Sequence, residues 1–227
     1  MKIIGIEKSS FIDYPDKIST VLFTKGCNFR CPYCHNSSIV RGEEEEINIE
    51  EVLDYIESRK KFIDAICVSG GEPTLHDGLY EFIKKLKDKG FLVKLDTNGS
   101  RPSVVERLLR EKLLDYIAMD IKAPLEKYDS VTKVKVDLDK ISQSIGLIRG
   151  ASIGYEFRTT VCKELLSTRD LLEIGDLLAR SKAYYLQNFQ DSGNVLIGEG
   201  KLHPYDQEKL KFIKRQIQGN FNLCKIR

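Results

Sequence analysis

Short apolar runs and amphipathic stretches alternate along this chain. Runs rich in Val, Ile, Leu and Phe, bounded by turn residues, predict strands near 19–24, 65–69, 91–97, 116–122, 153–162 and 184–189. Between and after them, apolar residues recur at helical spacing and predict helices near 49–60, 77–89, 102–112, 137–148, 168–181 and 204–218. Local signals frame these helices. Gly90 closes the second, Arg101-Pro102-Ser103 opens the third, and Gly150 follows the fourth. Ser167 or Thr168, ahead of the acidic Asp170, caps the fifth. The last carries Leu210, Ile213 and Ile217 on one face and ends at Gly219. Six strand–helix units with connections of this length predict an α/β fold, a parallel sheet with outer helices. Six units are too few to close an eight-stranded barrel, so the expected result is an open, partial (β/α)6 TIM-like barrel. Residues 2–17 are expected to form a small hairpin or loop before the first strand. No internal repeat or low-complexity linker interrupts the alternation, which predicts a single domain over 1–227.

Parallel barrels place their chemistry at the C-terminal ends of strands, and each predicted strand can be checked against that rule. The first leads at once into a cysteine-rich loop. The second ends in Ser69-Gly70-Gly71-Glu72-Pro73-Thr74, the third in Asp96-Thr97-Asn98-Gly99, and the fourth contains Asp120-Ile121-Lys122. The fifth carries Glu156, Arg158 and Thr160 on one face, and the sixth ends in Asn188-Phe189-Gln190. The two-residue strand period also sets Lys94 beside Asp96 and Asp120 beside Lys122. Two carboxylates facing one lumen must be protonated, paired or bound to a cation. Internal salt bridges and a bound ion both answer that need.

Composition narrows the class. Of 227 residues, 41% are hydrophobic and 31% charged, as in an ordinary soluble globular protein. The 36 basic and 34 acidic residues leave a formal charge of only +2, which argues against a dedicated nucleic-acid binder. No apolar run is long enough to span a membrane, and the start Met1-Lys2-Ile3-Ile4-Gly5 does not read as a signal peptide. A cytoplasmic location without a membrane partner is therefore expected. Six cysteines make no disulfide scaffold at this length; in a reducing compartment a cluster of thiols reads as a metal site. Cys67, Cys162 and Cys224 stand singly and read as small core residues.

The cluster is Cys27, Cys31 and Cys34, spaced C-x3-C-x2-C within Gly26-Cys27-Asn28-Phe29-Arg30-Cys31-Pro32-Tyr33-Cys34-His35-Asn36. A tetrahedral zinc or a fully ligated cubane cluster needs four ligands. Three thiols supply all but one, so a cluster held here would keep one iron open. Spacing alone leaves zinc available, with His35 or a distant cysteine as the fourth ligand, although zinc motifs usually pair two CxxC units and no second pair exists here.

This run, with Tyr33, His35 and Asn36, resembles the signature of the radical S-adenosylmethionine (SAM) enzymes, and Gly70-Gly71-Glu72-Pro73 resembles that family's GGEP loop. The resemblance implies a [4Fe-4S] cluster on Cys27, Cys31 and Cys34, its open iron chelated by the amino and carboxylate groups of SAM. It places Gly70, Gly71 and Glu72 at the SAM amino group, and Tyr33 and Asn36 at the adenine. The segments Asp96-Thr97-Asn98-Gly99 and Met119-Asp120-Ile121-Lys122 resemble a narrower group, the glycyl-radical-enzyme activases. There the implied ligands of a monovalent cation are Asp96, Thr97 and Asp120, with Lys122 meeting the SAM carboxylate. Phe11-Ile12-Asp13-Tyr14-Pro15, Phe157-Arg158-Thr159-Thr160-Val161 and Leu186-Gln187-Asn188-Phe189 extend the likeness over nearly the whole chain. Together the motifs look most like the anaerobic ribonucleoside-triphosphate reductase activating proteins and are similar to pyruvate formate-lyase activating enzyme. Gln190 departs from the latter, which has a SAM-contacting histidine at that place; the Gln190 amide is expected to take over the contact. Arg158 is expected either at SAM or in an internal ion pair with Glu156.

The implied activity is reductive cleavage of SAM by an electron from a reduced flavodoxin or ferredoxin. The 5′-deoxyadenosyl radical would then remove a Cα hydrogen from one glycine of a glycyl-radical enzyme, with anaerobic ribonucleotide reductase the expected partner. Two other readings stand beside it: a radical SAM enzyme with a small-molecule substrate, resembling 7-carboxy-7-deazaguanine synthase, and a non-catalytic zinc or electron-transfer protein.

Overall fold

Eight strands form one sheet whose spatial order is their order in sequence, in a computed structural model that describes residues 1–227. They are β1 (Ile3–Ser10), β2 (Ser19–Thr24), β3 (Ala65–Gly70), β4 (Leu92–Thr97), β5 (Tyr116–Asp120), β6 (Gly154–Val161), β7 (Ser181–Asn188) and β8 (Phe221–Ile226). β1 runs antiparallel to β2, and every pairing from β2 to β8 is parallel. Parallel neighbours need long crossovers, and helices supply them. The eight helices are α1 (Ser37–Arg41), α2 (Ile49–Ser58), α3 (Leu79–Asp88), α4 (Pro102–Arg110), α5 (Tyr128–Thr132), α6 (Leu138–Arg149), α7 (Thr168–Leu177) and α8 (Gln207–Ile217). β1 and β8 are the two edges of the sheet and do not pair with each other, so the barrel is open on one side.

The six expected strands are β2 to β7. Two further strands flank them. β1 forms the antiparallel arm of the expected N-terminal hairpin. β8 was not expected at all: its burial alternates poorly, with Asn222 and Leu223 both exposed, so the sequence carries no clean two-residue period. What makes it a strand is the hydrogen-bonding edge of β7, which it covers from Ser181 to Leu186. The short α1 and α5 were also unexpected. Both flank the cysteine loop: α1 begins straight after Asn36, and the Thr132 carbonyl at the end of α5 accepts from the Arg30 amide at 2.8 Å.

The longer helices start where side chains satisfy their first amides. Asn48 accepts from the Glu50 amide, Asp137 from Lys140, and Asp206 from Glu208 and Lys209. Ser167 and Asp170 close a reciprocal capping box on α7. Gly90, at φ +86°, takes the left-handed turn that lets the chain leave α3 for β4.

Apolar side chains between sheet and helices form a contiguous core that includes Leu22, Val68, Leu95, Ile117, Phe157 and Leu186. The lumen is different. Alternate residues of β4 and β6 place Lys94, Asp96 and Glu156 there, all buried. At the N-terminal end of the strands, Glu156 accepts from the Tyr116 hydroxyl at 3.1 Å and pairs with Arg227 at 3.1 Å, while Tyr14 packs against Tyr116 with ring centroids 5.8 Å apart. Of the two placements expected for Arg158, the pair with Glu156 does not form, and Arg227 takes Glu156 instead. The C-terminal residue reaches it because β8 lies along β7, a placement that sequence spacing does not reveal.

Phe157→Ala is expected to cost about 3–5 kcal/mol by opening a cavity in the core. Ser167→Ala should cost only about 1 kcal/mol through the lost cap. Urea unfolding of both variants checks the contrast, and equal costs would contradict this division between core and cap.

Candidate active site

The cysteine loop leaves β2 at Thr24 and turns at Gly26. Its backbone is held by bonds within the loop and by others from outside it. The Cys34 amide donates to the Cys31 carbonyl at 3.0 Å, and the Arg30 guanidinium donates to the carbonyls of Cys27 and Phe29 at 2.6 and 2.9 Å. The Leu196 and Ile197 amides, from the segment after β7, donate to the Cys34 and Pro32 carbonyls at 3.0 and 3.1 Å. Beneath lies the turn after β3, where Gly71 and Glu72 donate their amides to the Thr24 and Gly26 carbonyls, both at 2.9 Å.

That last contact explains the glycine pair. A Cβ on Gly71 would stand 1.7 Å from the Gly26 carbonyl oxygen. Gly70 has φ +109°, and a Cβ there would stand 2.3 Å from the Thr24 amide nitrogen. Both glycines line the cavity, yet what demands glycine is the seating of the cysteine loop on the β3 turn.

Glu72 differs from expectation. It is buried and lines no part of the cavity. Its carboxylate accepts from the Thr74 amide at 3.1 Å, the Asn98 amide at 2.6 Å, the Thr97 hydroxyl at 2.8 Å and the Thr74 hydroxyl. Glu72 thus clamps the end of β3 to the end of β4, and no lone pair is directed at a ligand. Asn98 extends the clamp, donating from Nδ2 to the Asn28 side chain at 2.8 Å.

Five charges run in alternation up the lumen, from β4 across β6 to β5. Lys94 Nζ lies 2.7 Å from Asp96 Oδ1, an ion-pair contact out of line for a hydrogen bond. Asp96 Oδ2 meets Arg158 Nη1 at 3.0 Å and the Ser69 hydroxyl at 3.2 Å. Arg158 Nε meets Asp120 Oδ1 at 2.8 Å, and Asp120 Oδ2 meets Lys122 Nζ at 3.1 Å. Burial would raise both carboxyls, but Arg158, with Lys94 at Asp96 and Lys122 at Asp120, holds them below the ordinary carboxylate range. Burial would lower the Lys122 ammonium; Asp120 beside it raises it well above the usual lysine value. All five groups are therefore charged at neutral pH, three positive against two negative, and the chain of charges keeps one positive charge in excess. Of the two answers to paired carboxylates, the structure holds the salt bridges. The expected cation ligands Asp96, Thr97 and Asp120 do not form an open oxygen cage: both carboxylates are occupied by side-chain cations, and the Thr97 hydroxyl turns to Glu72.

One open cavity at the C-terminal mouth of the barrel brings the other expected residues together. Cys27, Cys31 and Cys34 line it beside Tyr33 and Asn36, and Gly70, Gly71, Asp96, Thr97, Asp120, Lys122 and Arg158 line its opposite wall. Asn36 donates from Nδ2 to the Gly70 carbonyl at 3.3 Å, bridging the two walls. The Tyr33 hydroxyl is buried without a hydrogen-bond partner, and its ring lies 5.8 Å from Lys122 Nζ. Burial pushes the Cys27 thiol up to about 11 and raises Cys31 as well. All six cysteines are free, and no three His, Cys, Asp or Glu side chains converge on a point that one metal ion could occupy. Gln190 is exposed and lies outside the cavity. The chain reaches the site there through Phe189, stacked on His35 at 5.6 Å, and through Ser192, at 3.0 Å from His35 Nδ1. Phe29, Ser69, Asn98 and Thr160 also line the cavity. Sequence reasoning assigned them no role, although Ser69, Asn98 and Thr160 lie in the strand-end segments it singled out.

The sequence profile of the radical SAM superfamily matches residues 21–166. A Methanocaldococcus jannaschii protein whose name assigns it to the glycyl-radical enzyme activating enzymes is 39% identical over 191 residues, covering 82% of this chain and 79% of its own. Pyruvate formate-lyase-activating enzyme of Staphylococcus aureus is 33% identical over 130 residues, 52% of this chain and 51% of that one. Streptococcus suis SuiB, solved with its precursor peptide SuiA, superposes with a TM-score of 0.69 at 15% identity, over 90% of this chain and 48% of that one. The chain thus spans about half the length of the last two, and at 15% identity SuiB shares the fold alone.

Gly71→Ala is expected to unseat the cysteine loop through overpacking of about 1–3 kcal/mol. Iron uptake on anaerobic reconstitution should fall sharply while the far-ultraviolet circular dichroism is kept; unchanged iron content would contradict the packing argument. The lumen charges also set a pH dependence. Asp96 and Asp120 titrate lower in the folded than in the unfolded chain, so their contribution is complete above the unfolded carboxyl range, about pH 4, and drains away as pH falls below it. Urea midpoints from pH 7 to 2 should show this loss, and the Asp120→Asn variant should show a shallower one.

Proposed function

The chain belongs to the radical SAM superfamily and to its glycyl-radical-enzyme activating members, and from that premise we propose that it cleaves SAM to install a glycyl radical on a partner enzyme. Enzymes of this family work with a [4Fe-4S] cluster and SAM. The observation that carries the proposal is one cavity lined by three free thiols and by the alternating charges of Asp96, Arg158, Asp120 and Lys122, which end in the Lys122 ammonium.

The residues present fit both groups. Three thiols face one cavity without converging on a single point, which suits a body larger than one ion. Burial disfavours ionisation of Cys27 and Cys31, so these two await a partner that stabilises thiolate. Cys27, Cys31 and Cys34 would hold the cluster and leave its fourth iron free. When bound, the cluster would supply the electron for reductive cleavage of SAM, the chemistry from which hydrogen abstraction at the glycine Cα would follow.

The chain's own residues bind, orient and exclude water. Lys122, at the upper end of the lumen charges, would meet the SAM carboxylate, and Arg158 would hold Asp120 so that this carboxylate cannot repel it. The Gly70-Gly71 backbone would take the SAM amino group. Tyr33, with its unpartnered hydroxyl, and Asn36, already bonded to Gly70, would border the adenine. Phe29 and the His35–Phe189 stack present apolar faces around the thiols.

The partner we propose is anaerobic ribonucleotide reductase, reached through the open side of the barrel. The electron donor would be a reduced flavodoxin or ferredoxin. No helix is long and apolar enough to cross a membrane; the proposed location is the cytoplasm, and the chain would act as a single domain.

The test is an anaerobic assay of the reconstituted, reduced protein with SAM, beside Cys31→Ala. We expect 5′-deoxyadenosine from the wild type and none from the variant. We also expect a glycyl-radical electron paramagnetic resonance doublet when anaerobic ribonucleotide reductase is added. Cleavage of SAM with no doublet would reject that partner, and no cleavage from a fully loaded, reducible cluster would reject the chemistry.

A further inference from the structure

Lys94 sits deep in the lumen, where the proposed reaction gives it nothing to do. It stands two residues before Asp96 on β4, so both side chains leave the same face of the strand. Its side chain is 2% exposed. The ammonium is enclosed by neighbours on either strand, with Cys67 Sγ at 3.9 Å and the Tyr116 ring centre at 6.0 Å. Its one anionic contact is Asp96 Oδ1, at 2.7 Å. A lysine this dry needs a strong reason to be charged, and the carboxylate it meets is one of the two that the family resemblance assigns to a metal cation.

We infer that Lys94 is a built-in replacement for the monovalent cation, so that the Asp96–Asp120 pair is neutralised by the protein's own side chains and the site works without potassium or sodium. Each of the four carboxylate oxygens faces a side-chain cation: Asp96 Oδ1 lies against Lys94 in an ion-pair contact without a hydrogen bond, Arg158 hydrogen-bonds Asp96 Oδ2 and Asp120 Oδ1, and Lys122 hydrogen-bonds Asp120 Oδ2. The third expected ligand, the Thr97 hydroxyl, donates to Glu72 at 2.8 Å and accepts from the Gly99 amide at 3.1 Å. A free cation entering here would meet a lumen that already has one positive charge in excess. Lys94 is a positioning residue: it lies below Asp96 and acts on the cavity through Asp96 and Arg158.

Lys94→Met removes the charge and keeps an apolar chain of similar length, so it should turn an ion-independent site into an ion-dependent one. The probe is direct. Thallium(I), a spectroscopic mimic of potassium, is titrated into the reconstituted protein and its 205Tl resonance followed. Thermal unfolding is measured in potassium, sodium and tetramethylammonium chloride at equal ionic strength. SAM affinity is read in the same salts from the resonance of the reduced cluster. The wild type should show no saturable thallium binding and the same melting temperature and SAM affinity in all three salts. Lys94→Met should bind thallium saturably, melt lower in tetramethylammonium, and regain stability and at least about fivefold in SAM affinity with potassium or sodium. Rescue by a small ion is a response that a merely packed lysine would not give. Saturable thallium binding by the wild type overturns the inference, as does a folded Lys94→Met protein indifferent to salt. If Lys94→Met does not fold, the wild-type titration alone decides. Thallium binding and melting read the aspartate pair itself, so they stand or fall separately from the proposed SAM chemistry.

Discussion

The alternation Lys94–Asp96–Arg158–Asp120–Lys122 ties three adjacent strands together through the barrel lumen. A single charge moved from water to such a place costs several kcal/mol after relaxation, on the order of what a whole domain has to spare. None of the five is tolerable alone, so each fixes the position of the next. The lumen of a larger parallel barrel is filled with branched apolar side chains; here the strands close around an ionic ladder instead. The exchange suits an open barrel, where a short sheet has to present charge at its mouth and still be rigid beneath it. Arg158 is central because its planar fork spans two carboxylates on different strands, which a lysine's single ammonium does less well.

Above this ladder, the cysteine loop is positioned by backbone contact more than by side chains. The Gly26 carbonyl approaches Gly71 closely enough to exclude any Cβ, and Glu72 draws the β3 and β4 ends together with four accepted hydrogen bonds. The segment after β7 then adds its own amides to the loop from the far side. The thiols are thus presented by three separate crossovers of the sheet, and small shifts in any one would move them. This is how a soft eight-residue loop becomes a defined site.

The sequence made much of this legible. Alternating apolar runs gave six of the strands, with β2 placed at 19–24 and β7 begun three residues late, at 184 in place of Ser181. Strand ends gave nearly all of the cavity wall, because a parallel sheet aligns the C-terminal ends of its strands at one mouth. The two residues that failed to reach the cavity, Glu72 and Gln190, failed for the same reason. Each adjoins residues that do line or approach it, and adjacency in a loop does not say which way a side chain turns. Glu72 turned inward to four donors, and Gln190 turned outward past the stacked Phe189. β8 escaped because its stability comes from the edge it covers and not from its own pattern.

By itself, then, the sequence determined the local and the periodic: strand and helix order, the caps at Ser167 and Gly90, the three closely spaced thiols, and the pairing of Lys94 with Asp96 and Asp120 with Lys122 on common faces. Those depend on spacings of two to four residues, which the chain carries wherever it folds. Tertiary structure decided who neutralises whom. Arg158 joined Asp96 to Asp120 instead of reaching Glu156, and Arg227 came 71 positions along the chain to take Glu156. Strand register set these choices, aligning Asp120 with Arg158 and Leu186 with Ile226. A buried charge takes the nearest opposite charge in space, and distance in space is the one quantity a linear sequence does not contain.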